Sequence, residues 1–363
     1  MLKVGTDFSG IGSPETALNR LNISYENVFA CDIDKFAKLS YLQNHYPNKF
    51  YDDITTRDYS EVPQLDLYVA GFPCQSFSLA GKRGGFDDVR GTLFFNVAEF
   101  IKVNQPKCFI LENVRGLLSH DKGRTFQTII DLLSNGGGTV NGQMLFDIID
   151  DGLGYHIYYK VLNTKDYGIP QNRERVFIIG FKENLNTFIW KKFTFPKKVP
   201  LNITLKDLLE NEVNEKYYLS EKFKKFVLTT NFREAKPIDV NKISPCIKVG
   251  GDVPCFEENQ VVVHSLYPRC GDPNKGGTGH LSKSDGTSYC LDTGNTQAIE
   301  ENKKIRRLTP LECWRLQGFT DEEFWKAQKV NSDTQLYKQA GNSITVNVMT
   351  EIFKKIYYDT SNY

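Results

Sequence analysis

The chain has almost no net charge, no long apolar run and no paired cysteines. Over 363 residues, 45 lysines and arginines face 44 acidic residues, for a formal net charge of +1. That balance excludes a uniformly basic coat for nucleic acid but allows a locally basic cleft. No stretch approaches the ~18 apolar residues of a membrane-spanning helix. The opening MLKVGTDFSGIGS lacks a charged start followed by an apolar run, so no signal peptide is expected. The eight cysteines, Cys31, Cys74, Cys108, Cys246, Cys255, Cys270, Cys290 and Cys313, form no CxxC pair, and no histidine stands beside them at zinc-ligand spacing. Free thiols in a reducing, cytoplasmic setting are therefore expected, with no metal.

What is present is a globular balance, with 40% hydrophobic and 25% charged residues. The length suits one large domain plus a smaller one. Apolar, strand-like runs at Lys3–Phe8, Asn27–Asp32, Asp66–Phe72, Lys107–Val114, His156–Leu162 and Val176–Phe181 alternate with helix-like segments at Glu15–Leu21, Lys35–His45, Leu93–Val103 and Arg124–Leu133. This rhythm predicts an α/β fold: a Rossmann-like, doubly wound, mostly parallel sheet with helices on both faces. Asn135–Gly138 reads as a surface loop.

The pattern changes after about Trp190, where prolines and a lysine cluster interrupt it, and Asn231–Glu301 is rich in Gly, Pro, Asn, Thr and Val. We expect residues 1–190 to form the main domain and 191–304 a smaller, loop- and strand-rich domain. Leu308–Gln317 reads as a helix, and Ile344, Val348, Ile352 and Ile356 recur every fourth residue. That apolar stripe needs a sheet to pack on, so residues 305–363 are expected to return to the first domain.

The first strand runs into Asp7-Phe8-Ser9-Gly10-Ile11-Gly12 just before a helix. Glycines at such a turn let the backbone approach a ligand. Glu15 stands where a dinucleotide fingerprint has its third glycine, which suits a ligand without phosphates. Asp32 ends the second strand, where an acid can accept from ribose hydroxyls. Asp53 and Ile54 follow what reads as a further short strand after Lys35–His45, where they could hold an adenine. Asp34 reads as a solvated neighbour.

Cys74 follows an apolar strand in Gly71-Phe72-Pro73-Cys74-Gln75-Ser76-Phe77-Ser78, and Glu112 ends the next strand in Leu111-Glu112-Asn113-Val114. Arg173 and Arg175 alternate in Gln171-Asn172-Arg173-Glu174-Arg175. In a doubly wound sheet the carboxyl ends of the strands carry the chemistry. A thiolate can attack an electron-poor ring carbon, a carboxylic acid can hydrogen-bond a ring nitrogen, and an arginine can bind a carbonyl oxygen. Cytosine offers these features at C6, N3 and O2. Attack at C6 turns C5 into a carbon that can take a methyl group from a sulfonium.

These segments, together with GKRGGFDDVRGTLFF (Gly81–Phe95), RLTPLECWRLQGF (Arg307–Phe319) and QAGNS (Gln339–Ser343), resemble the DNA (cytosine-5)-methyltransferases. They occur in the family's order and span both ends of the chain. The resemblance implies Cys74 as nucleophile, Glu112 at N3 and the amino group of a flipped cytosine, Arg175 at O2, and Arg173 as an organiser of the site or of a phosphate. It implies a pocket for S-adenosylmethionine lined by Phe8, Gly10, Gly12, Asp32, Asp53, Ile54, Pro73, Leu93, Asn342 and Ser343, with S-adenosylhomocysteine as product.

Gln75–Gly91 resembles the mobile loop that closes over DNA, with Gln75, Ser78, Lys82 and Arg90 near the backbone. The 191–304 stretch corresponds to the target-recognition domain, where Arg269, Lys275 and His280 lie in Gly-rich loops suited to the major groove. The partner implied is double-stranded DNA, bound by a monomer, alongside a restriction endonuclease acting separately. Base extrusion is required, because C6 and N3 are inaccessible inside a duplex. An RNA cytosine-5 methyltransferase on the same scaffold, or a non-catalytic DNA binder, would share much of this pattern. Pro-Cys-Gln and the long variable stretch favour DNA, and intact Cys74, Glu112 and Arg175 favour catalysis.

Overall fold

The computed structural model describes residues 1–73, 93–134, 139–140, 143–144, 152–182, 193–221, 262–265, 281–291, 293, 297–301 and 304–358. The expected loop at 135–138 lies outside these. Its main sheet contains β1 (Leu2–Asp7), β2 (Tyr25–Cys31), β3 (Lys49–Tyr51), β4 (Leu67–Ala70), β5 (Cys108–Val114), β6 (Thr139–Val140), β7 (Gln143–Met144), β8 (Tyr155–Asn163) and β9 (Glu174–Lys182). Their order is β3-β2-β1-β4-β5-β9-β8-β6-β7. The strands from β3 to β5 pair in parallel, each followed by a helical crossover or turn. β9 runs antiparallel to both β5 and β8. Residues 164–173 between β8 and β9 are too few for a crossover helix, so these strands must reverse.

The helices of the first half are α1 (Ser13–Arg20), α2 (Lys35–Asn44), α3 (Leu93–Asn104) and α4 (Arg124–Ser134). Strand side chains alternate between two buried layers. Leu67, Val69 and Ile110 face one layer, whereas Tyr68, Ala70, Phe109 and Leu111 face the other. A sheet buried on both faces accounts for the near-continuous apolar strands in the sequence. Asp34 is more than a solvated neighbour. Its carboxylate accepts from Phe36 N at 2.9 Å as the N-cap of α2 and pairs with Lys338 at 2.7 Å.

The chain after residue 304 forms α5 (Pro310–Arg315), α6 (Asp321–Gln328), α7 (Asp333–Asn342) and α8 (Val346–Tyr357). Thr309 and Thr320 each make a capping box with the glutamate three residues on, Glu312 and Glu323. α8 buries Val346, Val348, Met349, Ile352, Phe353 and Ile356 and packs against α1. Ile344, read as the first member of that stripe, lies before the helix instead. Thr345 caps the helix, and this frees Ile344 to face a cleft.

A second sheet has the order β11-β10-β12-β13 and is antiparallel throughout: β10 (Val262–Ser265), β11 (Leu281–Lys283), β12 (Gln297–Glu301) and β13 (Lys304–Arg307). Between the sheets in sequence, Phe193 packs edge-on to Tyr158 at 5.2 Å and lies 5.3 Å from Phe181. The chain just past residue 190 therefore joins the core of the large sheet.

Candidate active site

A cleft opens at the carboxyl ends of β1, β4 and β5. The end of β1 contributes Thr6, Asp7, Phe8, Ser9 and Gly10, and the start of α1 contributes Ser13 and Pro14. Val69 and Gly71 come from β4, and Glu112 from β5. Asn342, Ser343 and Ile344 arrive from the α7–α8 junction.

The turn after β1 is left-handed at Phe8 (φ 53°), Gly10 (φ 55°) and Gly12 (φ 86°). It is held from beneath. Ser9 N donates to Cys31 O at 3.0 Å, and Gly10 N donates to Asp32 Oδ2 at 2.8 Å. Asp32 Oδ1 accepts from Asp34 N at 2.8 Å, so both its oxygens are engaged by backbone amides. Burial pushes the Asp32 carboxyl up, and the two N–H donors oppose that shift. Ser13 Oγ lies 2.7 Å from Ser343 Oγ and donates to Ile344 O at 2.7 Å, tying the first turn of α1 to the C-terminal segment.

Of the expected donor-pocket residues, Phe8, Gly10, Asn342 and Ser343 line this cleft, whereas Gly12, Asp32, Asp53, Ile54, Pro73 and Leu93 do not. A Cβ at Gly12 would stand 2.2 Å from the His45 ring, so this glycine serves close packing as well as its left-handed φ. Asp53 caps a short turn through Thr55 N at 2.8 Å, Ile54 is buried, Pro73 is exposed and Leu93 is half-buried. Glu15, at the place of the third glycine, is fully buried and accepts from Thr6 Oγ1 at 3.0 Å and Tyr41 OH at 2.7 Å.

On the other side of the cleft, Arg175 Nε lies 3.0 Å from Glu112 Oε1. The β5–β9 register sets Arg175 opposite Val114, so its side chain shares a face with Glu112 two residues away. Burial raises the Glu112 pKa, and the Arg175 and Arg173 guanidiniums oppose that rise. Glu112 Oε1 receives no hydrogen bond among the described residues. Arg173 is buried and donates to Ser343 O at 2.8 Å and Leu291 O at 3.2 Å. The Arg173 guanidinium thus ties the start of β9 to Leu291 and Ser343.

The chain matches the family profile "C-5 cytosine-specific DNA methylase" over residues 7–358. The chain belongs to that family. The type II methyltransferase M.NgoBI of Neisseria gonorrhoeae is 37% identical to it over 355 residues, covering 96% of this chain and 90% of the relative. The orphan methyltransferase M.SPRI of Bacillus phage SPR is 34% identical over 451 residues, covering 99% and 98%. In fold, the S. pombe Dnmt2 methyltransferase superposes with a TM-score of 0.63 at 19% identity over 100% of both chains. The doubly wound sheet expected from the sequence is thus that of solved methyltransferase structures.

In this methylase Cys74, Gln75, Ser78, Lys82, Arg90, Arg269, Lys275 and His280 lie outside the described residues. Sequence reasoning missed two features. Cys290 sets its Sγ 3.5 Å from Arg173 Nη1 and 3.8 Å from Arg175 Nη2. It sits on a segment latched to the Gln171 loop: Ser288 N donates to Pro170 O at 2.6 Å, and Leu291 N donates to Gln171 Oε1 at 3.0 Å. The second feature is Arg57, whose guanidinium grips Asp7. Neither carries a local sequence signal, because each acts on residues far away in the chain. Among the described residues no cluster suited to a metal ion is found, and no helix is long and apolar enough to cross a membrane.

Proposed function

We propose that this methylase transfers a methyl group from S-adenosylmethionine to C5 of a cytosine extruded from a specific sequence of duplex DNA, with Cys74 bonding covalently to C6. The observation that carries the reading is the single cleft in which the left-handed Gly10 turn, Glu112, Asn342 and Ser343 converge. Its described lining holds no lysine or arginine, which suits a donor without phosphates better than a dinucleotide. Bound there, S-adenosylmethionine supplies an electrophilic methyl group and leaves as S-adenosylhomocysteine.

The chain's own residues do the rest. The Cys74 thiolate adds to C6, and Glu112 in its protonated form, which burial favours, donates to N3 as charge builds on the ring. Arg175 holds O2, while Arg173 fixes the strands around it. After methylation, loss of the C5 proton expels the thiolate and restores the ring. Phe8, Gly10, Asn342 and Ser343 contact the donor directly. Gly12, Asp32, Asp53, Ile54, Pro73 and Leu93 shape or flank its pocket.

Gln75, Ser78, Lys82 and Arg90 track the DNA backbone. Residues 191–304, with Arg269, Lys275 and His280, choose the sequence. A monomer acting on DNA in the cytoplasm, with or without a cognate restriction endonuclease, completes the reading.

The test is a duplex carrying 5-fluorocytosine at the target, found first by bisulfite sequencing of DNA from expressing cells. Fluorine at C5 blocks the final elimination, so an adduct stable to denaturing electrophoresis is expected to map to the Cys74 peptide and to vanish in Cys74→Ser. An adduct that persists in Cys74→Ser removes Cys74 from its role. Methyl transfer to transfer RNA and not to duplex DNA overturns the substrate.

A further inference from the structure

Asp7 ends β1, lines the cleft and leads directly into the left-handed turn at Phe8. Its carboxylate is engaged on both oxygens. Arg57 Nη1 and Nη2 donate at 2.8 and 2.7 Å, and Tyr68 OH donates at 2.7 Å. The side chains of Arg57 and Asp7 are both 0% exposed.

The guanidinium is enclosed by rings, 4.3 Å from the Phe29 centroid and 4.6 Å from that of Phe100, with Tyr51 and Tyr59 at 5.2 and 5.4 Å. A buried ion pair is a poor source of stability, since desolvation offsets most of its attraction. What it does provide is a full negative charge buried behind the wall of the cleft, on a residue that lines it, cancelled by a full positive charge in direct contact. The cancellation is close-range, because the guanidinium nitrogens lie 2.8 and 2.7 Å from the carboxylate oxygens, and in the low-dielectric aromatic surround either charge left alone would be felt strongly.

We infer that the Arg57–Asp7 pair is a specificity-determining device, whose neutrality sets the ratio in which the cleft binds a sulfonium donor and its uncharged thioether product. The inference rests on the donor assigned above. S-adenosylmethionine and S-adenosylhomocysteine differ by one methyl group and one positive charge at sulfur. An uncancelled Asp7 would hold the cation selectively, and an uncancelled Arg57 would repel it. With the pair intact, neither bias operates, and selection of the donor falls to contacts with the methyl group itself.

The test measures binding of both ligands to the full-length protein by calorimetry, without DNA, in four variants. Asp7→Asn leaves a guanidinium that cannot shed its proton, and it should lower the donor-to-product affinity ratio on the order of tenfold. Arg57→Gln should move the ratio in the opposite direction. The neutral double variant Asp7→Asn/Arg57→Gln should return it to the wild-type value, and Arg57→Lys should leave it there. If Asp7→Asn does not fold, the opposite shift in Arg57→Gln and its reversal in the double variant carry the test. A ratio that stays constant while both affinities fall together assigns the pair a purely structural role and overturns the inference. Wild-type protein that binds neither ligand overturns the donor assignment itself.

Discussion

Glu112 and Arg175 meet at 3.0 Å across the antiparallel β5–β9 pair, and that reversal of strand direction is what joins them. In a purely parallel sheet the loop before β9 would lie at the opposite edge from the end of β5. The reversed strand brings its first residues to the carboxyl end of β5, where the cleft opens.

The raised pKa of Glu112 makes a pH prediction. The native protein holds this proton to a higher pH than the unfolded chain does. Stability is therefore lost as pH rises from the ordinary glutamate range through the raised value, and is flat above it. Glu112→Gln should remove that slope from urea midpoints measured across pH. The falling limb of kcat/KM assigned to Glu112 should disappear as well, with kcat reduced by about 10²-fold. A limb that survives in Glu112→Gln would assign it to another group.

Arg173 joins the end of the variable region to the C-terminal segment through the carbonyls of Leu291 and Ser343. Arg173→Ala should cost about 3–6 kcal/mol, the scale of two buried hydrogen bonds from a charged donor. Arg173→Lys should recover part of it. Denaturant midpoints at constant m-value provide the check, and an unchanged midpoint in Arg173→Ala would rule the linkage out.

Truncation before Gln339 should abolish donor binding and solubility. It removes Asn342 and Ser343 from the cleft and α8 from the face of α1. Six buried side chains leave with it, Val346, Val348, Met349, Ile352, Phe353 and Ile356. At about 1.5–3 kcal/mol each, their sum is comparable with a domain's entire stability. A soluble truncated protein with unchanged affinity for the donor would contradict this.

Sequence choice should travel with the variable region, but the graft has a preferred boundary. Residues 288–291 are hydrogen-bonded to the Pro170–Gln171 loop, and Cys290 touches both catalytic-side arginines. Exchanging 222–283 with a relative's segment should move the methylated sequence, read by bisulfite sequencing, and retain kcat. Extending the exchange through 291 should lower kcat. A chimera that still methylates the original sequence would place specificity elsewhere.

Six of the nine described strands of the main sheet and the four helices of the first half were legible because each carries its own signal, whereas the short β6 and β7 were not and β3 was legible only by its place after α2. A strand buried on both faces reads as a continuous apolar run, and its crossover helix carries the stripe that covers it. The glycine turn, Glu112 and the two arginines stand at strand ends, where the sequence set them, whereas Cys74 lies outside the described residues. α6 and α7 were not, because their buried faces are short and include Gln339 and Gly341, whose burial depends on neighbours rather than hydropathy.

The order of residues along this chain was enough to determine the fold class, since that follows from local periodicity. Only the tertiary structure decided that Gly12 makes room for His45, that Asp32 spends its oxygens on backbone amides, that Arg173 binds carbonyls and that Arg57 neutralises Asp7. Apart from the Asp34 amide, two residues from Asp32, these contacts join groups between about 20 and 170 residues apart. Sequence neighbours determine a residue's conformation, but the energy of a buried charge or a missing Cβ depends on whatever the folded chain brings beside it.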